Sequence, residues 1–309
     1  MVFSLARPWK SLINLRMENG KASGYLSANG SKFSLDEISA CLGPSVHMDP
    51  KFPGMLKNDR LFATEEWFST LYAFYLMTRD KLWVNPLESY LFGECKFLQM
   101  QEASKVGLST PDSLITTEFQ SMRDFVGSYP DGVALKRVGH APRTMLRRPA
   151  NRVLYTSRLR TSDLSRQPAD YARYCPTHIE QYVEKSTELR LYVLRNRVFA
   201  VEIHSQEDDK TRDDWRKYPT PHEGGETKVG TDRLEIRRIE VPESISMRCR
   251  ELAERLGMVY AAMDFIKTPS GEFVFLEANS SGAYLYIEER LDLHISDALV
   301  DILISREGS

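Results

Sequence analysis

Alternation of hydrophobic and polar positions is most regular toward the end of the chain. LRLYVLR (189–195) and VFAVEI (198–203) flank Asn196-Arg197 and predict a β-hairpin with the β-branched and aromatic bias of strands. A helix is expected over 247–256, closed by Gly257, leading into the strand MVYAAMDF (258–265). The turn TPSG should fold that strand back on EFVFLEAN (272–279), because Pro and Gly suit a tight reversal. Upstream, the spacing predicts an amphipathic helix over 94–106 with Gly107 as its stop, a helix near 118–126, and a strand in DGVALKRV (131–138). The first 88 residues hold an aromatic-rich stretch, EEWFSTLYAFYLM, that reads as a buried helix, then the extended WVNP at 83–86. No internal repeat interrupts this mixture of strands and helices, which defines an α/β (α+β) chain.

With 309 residues, 42% of them hydrophobic, the chain can bury a core and hold two or three subdomains. A formal charge of -2 and a pI near 6.3 argue against a generally basic nucleic-acid binder. Cys41, Cys95, Cys175 and Cys249 stand singly, without the spacing of a zinc cage. The first residues lack the apolar core of a secretion signal, and the apolar run at 71–77 is too short to span a bilayer, so a cytoplasmic protein with no membrane partner is expected. Charge is instead local. Between 137 and 173 the chain carries Arg137, Arg143, Arg147, Arg148, Arg152, Arg158, Arg160, Arg166 and Arg173 against only Asp163 and Asp170.

Chemistry concentrates at the strand ends. Asp264 ends one strand, and Glu277 with Asn279 lies near the end of its partner, two residues apart and so on one face. An oxygen-only set with two carboxylates suits Mg²⁺, which takes further ligands from phosphates. Such ligands serve a nucleotide rather than the core, so alanine at Asp264 or Glu277 is expected to abolish turnover and leave the fold largely intact. Lys136 sits within an apolar strand, where a charge is costly unless an anion meets it. Lys96, at the start of the 94–106 helix, is a second candidate for phosphate. Arg190 and Arg216 offer planar guanidinium groups for phosphate or carboxylate, and each also reads as half of a structural ion pair.

In order along the chain, Lys96, Lys136, HIEQYV, TELRLYV, DDWR, AAMDF and FLEAN resemble the ATP-grasp superfamily from about residue 90 onward. Within it, WVNP, K-x-x-Q-M-x-x-A with VGL, SLITTEF, VLYTSRL and FVFLEANSSGAYLYIEE look most like the microviridin-type, or graspetide, ligases that cross-link ribosomally made peptides. The resemblance implies an ATP-grasp fold with an N-terminal subdomain (1–88), a central lid subdomain (89–185) and a C-terminal catalytic subdomain (186–309). It implies that Lys96 and Lys136 contact nucleotide phosphates, that Glu180, Gln181 and Tyr182 form the adenine hinge, and that Glu188 binds ribose. Arg190 and Arg216 match the arginines near the transferring phosphoryl group, and Asp264, Glu277 and Asn279 match the Mg²⁺ ligands. The implied partner is a precursor peptide with a leader and an acidic core, whose Asp or Glu side chains are activated by ATP and joined to Ser, Thr or Lys. A homodimer is implied as well.

Departures accompany the resemblance: the first sixty or so residues show no clear strand-helix-strand start, so an N-terminal α/β subdomain is expected from the resemblance alone. GHAPRTMLRR follows Lys136 where the wider superfamily has a glycine-rich loop, and SSGAY follows Asn279 where many relatives carry proline. The alternative within enzymes is an ATP-grasp ligase that adds an amino acid to a small molecule or a protein terminus. A phosphotransferase on the same nucleotide fold, and a peptide-binding module with a degenerate nucleotide site, are the remaining rivals.

Overall fold

Two Asn-Gly pairs open the fold. Asn19, Gly20, Asn29 and Gly30 all have positive φ (50, 74, 53 and 79°), the left-handed pairs that two-residue hairpin turns require. They fold β1 (Ser11–Glu18), β2 (Lys21–Ala28) and β3 (Ser31–Ser34) into an antiparallel meander. The structure, a computed structural model, describes residues 10–43, 52–138, 156–165, 171–207, 214–215 and 234–305. The chain divides into two compact units, Met1–Glu88 with Asp297–Ser309, and Ser89–Ser296.

In the first unit, β4 (Ala40–Leu42) and β5 (Leu82–Val84) pair in parallel across the long helix α1 (Lys57–Met77). The aromatic stretch is therefore helical, but only Phe74 and Tyr75 of it are buried. Its C-terminal end packs edge-on against Trp83, with ring centroids 5.9 and 5.0 Å away, while Leu61, Phe62 and Tyr72 stay exposed. Burial is thus confined to the last turns, where Leu26, Leu35 and Trp83 complete a small core.

The second unit contains two antiparallel sheets. After α2 (Leu87–Glu94), the chain breaks at Cys95 (φ −98°, ψ 86°), so the helix expected from residue 94 begins at Lys96 as α3 (Lys96–Lys105). The smaller sheet has the order β6 (Ser113–Thr116), β9 (Thr177–Gln181), β7 (Val133–Lys136), β8 (Ser157–Leu159). It is backed by α4 (Phe119–Gly127) and the short α5 (Thr161–Leu164), through a core that includes Met122, Val126, Val133, Leu164 and Ile179.

The larger sheet has the order β12 (Ile236–Ile239), β11 (Arg197–Ile203), β10 (Thr187–Leu194), β13 (Tyr260–Lys267), β14 (Phe273–Asn279). The β10/β11 turn falls at Arg195-Asn196, one residue earlier than the pattern suggested, with Arg195 at φ 49°. Helix α6 (Glu243–Arg255) starts ahead of the expected residue 247, entered from Pro242. It packs Ile245, Cys249, Leu252 and Leu256 against Leu189, Leu191 and Val193 of β10, and α3 adds Ala103. Every residue of β10 is buried, including Glu188, Arg190 and Tyr192 on the opposite face. A strand with one apolar face and one buried polar face is where a candidate site is to be sought. Among the described residues, no helix is long and apolar enough to cross a membrane.

Candidate functional site

Strand register aligns the central charges. Arg190 on β10 lies opposite Asp264 on β13, which lies opposite Glu277 on β14, and Asn279 follows two residues along, opposite Ala262. Arg190 Nε donates to Asp264 Oδ1 at 2.8 Å and its Nη2 to Oδ2 at 3.0 Å, while Nη1 reaches Tyr286 Oη at 3.3 Å from α7 (Leu285–Leu291). Burial is the strongest single influence and works against the Arg190 charge, but the Asp264 carboxylate together with the Tyr286 and Tyr192 phenols more than offsets it and holds the guanidinium well above its ordinary pKa. The Arg190 guanidinium also stands 5.4 Å from the Trp215 ring centroid, so the DDWR segment approaches this point through its tryptophan. Arg216 itself lies outside the described residues.

Lys96 brings the second cation. Its Nζ pairs with Glu277 Oε2, and Asn279 Nδ2 lies 3.3 Å from Glu277 Oε1. What fixes Lys96 is Gln99, one turn along α3 and fully buried. Gln99 Nε2 donates to the Ala278 carbonyl at 2.9 Å and to the Gly93 carbonyl at 2.6 Å, and the Ala278 amide donates to Gln99 Oε1 at 2.7 Å. A side-chain amide thus imitates a neighbouring strand at the sheet edge and seats α3 beside the carboxylates. Gln99 belongs to the K-x-x-Q motif, but its spacing alone reveals no such role.

The loop after Asn279 is pinned from below. Tyr192 Oη donates to the Ala283 carbonyl at 3.2 Å, and Tyr260 Oη donates to that of Gly282. Burial pushes both phenols upward in pKa, so both remain donors. A Cβ on Gly282 would collide with that of Ala262, so glycine is required there for close approach. This settles the geometry of SSGAY without proline.

The remaining residues cluster on the smaller sheet and at the start of β10. Lys136 Nζ pairs with the Glu180 carboxylate, which is 1% exposed. The anion opposite this strand lysine is therefore internal. Glu180 Oε1 is buried and makes no hydrogen bond. Gln181 donates its backbone N–H to Asp112 O at 2.8 Å, and Tyr182 to Gly132 O at 3.3 Å, with the Arg158 guanidinium 4.0 Å over the Tyr182 ring. Glu188 Oε1 accepts from Lys185 Nζ at 2.6 Å and from Ser205 Oγ at 2.7 Å. Burial nevertheless raises the Glu188 pKa, with Asp214 adding to the rise.

The structure thus brings Lys96, Arg190, Asp264, Glu277 and Asn279 together, and separately Lys136 and Glu180, with Glu188 on the β10 face that carries Arg190. Each acid here has a cation beside it, an arrangement that can exchange its partners for a metal ion and a polyanion without creating net charge. A separate surface group, His204, Glu207 and Glu235, also places three donor atoms within 4.8 Å of one another, although Arg237 pairs with Glu235 there.

No family model matches the sequence, and no curated protein does. Solved structures do. The ATP-grasp ligase associated with ribosomally made peptides of Chryseobacterium gregarium, solved with ADP and a leader and core peptide, is 23% identical, with a TM-score of 0.80 over 97% of this chain and 86% of its own. The Microcystis aeruginosa macrocyclase MdnC, bound to precursor peptide MdnA, is 23% identical with a TM-score of 0.76 over 96% and 88%. Macrocyclase MdnB of the same organism is 26% identical, with a TM-score of 0.71 over 96% and 87%. The chain has the fold of these ATP-grasp ligases.

Proposed function

We propose that the chain is an ATP- and Mg²⁺-dependent ligase that activates Asp or Glu side chains of a ribosomally made precursor peptide and joins them to Ser, Thr or Lys, forming ester or amide cross-links. The observation that carries this reading is the aligned row of buried Arg190 and half-buried Asp264 and Glu277, flanked by Lys96 and Asn279, on an ATP-grasp sheet. Asp264, Glu277 and Asn279 supply an all-oxygen donor set, which fits Mg²⁺. When bound, Mg²⁺ would neutralise charge on the polyphosphate.

Lys96 and Lys136 hold the phosphates as point charges, and Arg190 with Arg216 takes the transferring group. Glu180, 1% exposed, opens the adenine hinge, which continues through Gln181 and Tyr182. Glu188 suits the ribose hydroxyls. A carboxylate oxygen is a poor leaving group; phosphorylation makes it a good one, and Arg190 steadies the oxyanion that forms under attack by the nucleophile.

The peptide substrate is supported by the fold neighbours, two of which were solved with peptides. The arginines between 137 and 173 suit an acidic core, and the leader, the homodimer, the cytoplasmic setting and the 89–185 lid with a 186–309 catalytic part belong to the same reading. The test is incubation with ATP, Mg²⁺ and a peptide having a leader and a Ser/Thr/Lys- and Asp/Glu-rich core. Loss of one water per cross-link, with hydroxylamine trapping the activated carboxylate, is expected. A peptide that gains phosphate would make the chain a phosphotransferase, and consumption of ATP only with free amino acids would favour the ligase that adds an amino acid.

A further inference from the structure

His178 lies two residues before Glu180 on β9, on the same face, and directly opposite Lys136 on β7. It is completely buried. Its Nδ1 is 3.2 Å from the Arg137 carbonyl, which can only accept, so the neutral ring carries its proton on Nδ1 and leaves Nε2 bare. Nε2 faces Glu180 Oε1 at 3.2 Å, and neither atom has a hydrogen bond. Two buried acceptors therefore confront each other, and the Glu180 carboxylate relies on Lys136.

Charged groups face the ring from three elements. Glu180 faces it from its own strand, Lys136 from β7, and Lys96 from α3, while β6 places the uncharged Ile115 opposite it and α3 the edge of the Phe97 ring, 5.6 Å between centroids. The Arg137 side chain is exposed. Burial and the two lysines favour the neutral ring, and Glu180 favours the charged one. The balance shifts if a lysine leaves.

Resting on the nucleotide reading above, we infer that His178 is a positioning residue that releases Lys136 to the nucleotide: as Lys136 turns to a phosphate, His178 Nε2 takes a proton from solvent and its new N–H donates to Glu180 Oε1. The carboxylate keeps a partner and its orientation, and the lysine is free. Nucleotide binding and uptake of one proton are then a single event. Because the His178 pKa is higher in the bound state, affinity is greatest at low pH and falls, by up to about tenfold per pH unit, as pH rises between the free and bound values.

Calorimetric titration of the full chain with Mg²⁺ and a non-hydrolysable ATP analogue, at about pH 7 in buffers of different ionisation enthalpy, measures the uptake. Wild type should bind about one more proton per nucleotide than His178→Gln, a difference in which the analogue's own ionisation cancels. His178→Gln, whose amide can donate to Glu180 at any pH, should keep most of the affinity with a flat pH profile; His178→Phe should lose affinity. In Lys136→Met the ring is already charged, so binding is weaker and the extra uptake is gone. In wild type, labelled-histidine NMR should show one imidazole becoming imidazolium on addition of the analogue, which needs no variant. Equal proton uptake by wild type and His178→Gln, or an imidazole spectrum unmoved by saturating analogue, overturns the inference while the nucleotide site stands. No saturable binding by wild type overturns the nucleotide site itself.

Discussion

Arg190 and Asp264 face each other across neighbouring strands, joined by two parallel hydrogen bonds of 2.8 and 3.0 Å, with side chains only 10% and 18% exposed. The pair gives Asp264 a structural duty beside its proposed metal duty. Asp264→Ala strands a buried guanidinium and should cost about 3–5 kcal/mol of stability. Glu277→Ala leaves Lys96, on a flexible stem, and should cost markedly less. Urea unfolding of the two variants checks this, and equal losses would refute it. The sequence alone suggested that neither would disturb the fold; the bidentate pair revises that for Asp264. Replacing both partners, as Arg190→Met with Asp264→Leu, should recover much of the stability and none of the turnover.

Lys136→Met removes the cation that Glu180 holds and the one proposed to meet phosphate. Nucleotide affinity should drop at least about tenfold, or roughly 1.4 kcal/mol. An unchanged dissociation constant by calorimetry would mean that Glu180 is the lysine's whole purpose.

Gln99→Leu keeps the volume of the side chain but deprives Ala278 of both its amide partners and Gly93 of one. With about 1–3 kcal/mol for each buried group left unsatisfied, the melting temperature should fall by several degrees. Nucleotide binding should weaken too, because Lys96 sits one turn away on the same helix. A variant with wild-type melting and binding would show that α3 is seated by its apolar contacts alone.

Gly282→Ala should destabilise by about 1–3 kcal/mol, since the new methyl meets the Ala262 side chain and the loop must lift. Ala262→Gly in the same chain clears the space. The combination should melt closer to wild type than Gly282→Ala does; failure to recover would put the strain elsewhere in the loop.

Thiol chemistry offers an independent check of the core. Burial pushes Cys249 up to about 12 and Cys41 to about 11, so the reactive thiolate of each is scarce near neutral pH, whereas Cys95 and Cys175 are exposed. Mass spectrometry after brief alkylation of the native protein should find label on Cys95 and Cys175 first, with Cys249 modified only on unfolding. Early labelling of Cys249 would contradict the packing of α6.

Legibility in the sequence followed the range of the interaction. The β10/β11 and β13/β14 hairpins were readable because alternation and turn residues lie within one short stretch, and Glu277 with Asn279 followed from simple pleating. The opening meander carried an equally local signal in its two Asn-Gly turns, but its strands KASGYLSA and SKFS are too polar to announce themselves by hydrophobic period. Pairings such as Lys96 with Glu277 or Gln99 with Ala278 join segments far apart in the chain, and no spacing encodes them. His178 was concealed differently. Its meaning depends on which acceptor each ring nitrogen meets, a matter of register and tautomer.

On the proposed function, the amide of Gln99 also bears on how a substrate would arrive. β14 is one of the two edge strands of the larger sheet, a position at which an extended peptide would ordinarily join by main-chain pairing. Here Gln99 takes the hydrogen-bonding groups at Ala278, and Ser109 accepts from the Phe275 amide at 2.8 Å, so the border is already spoken for at both places. On the proposed function, a core peptide presenting its carboxylates to Arg190 would come in across the pleated face rather than along β14, so that side chains rather than backbone decide what is admitted. Selection of such a substrate would then tolerate wide variation in main-chain shape and little in the placement of its acids.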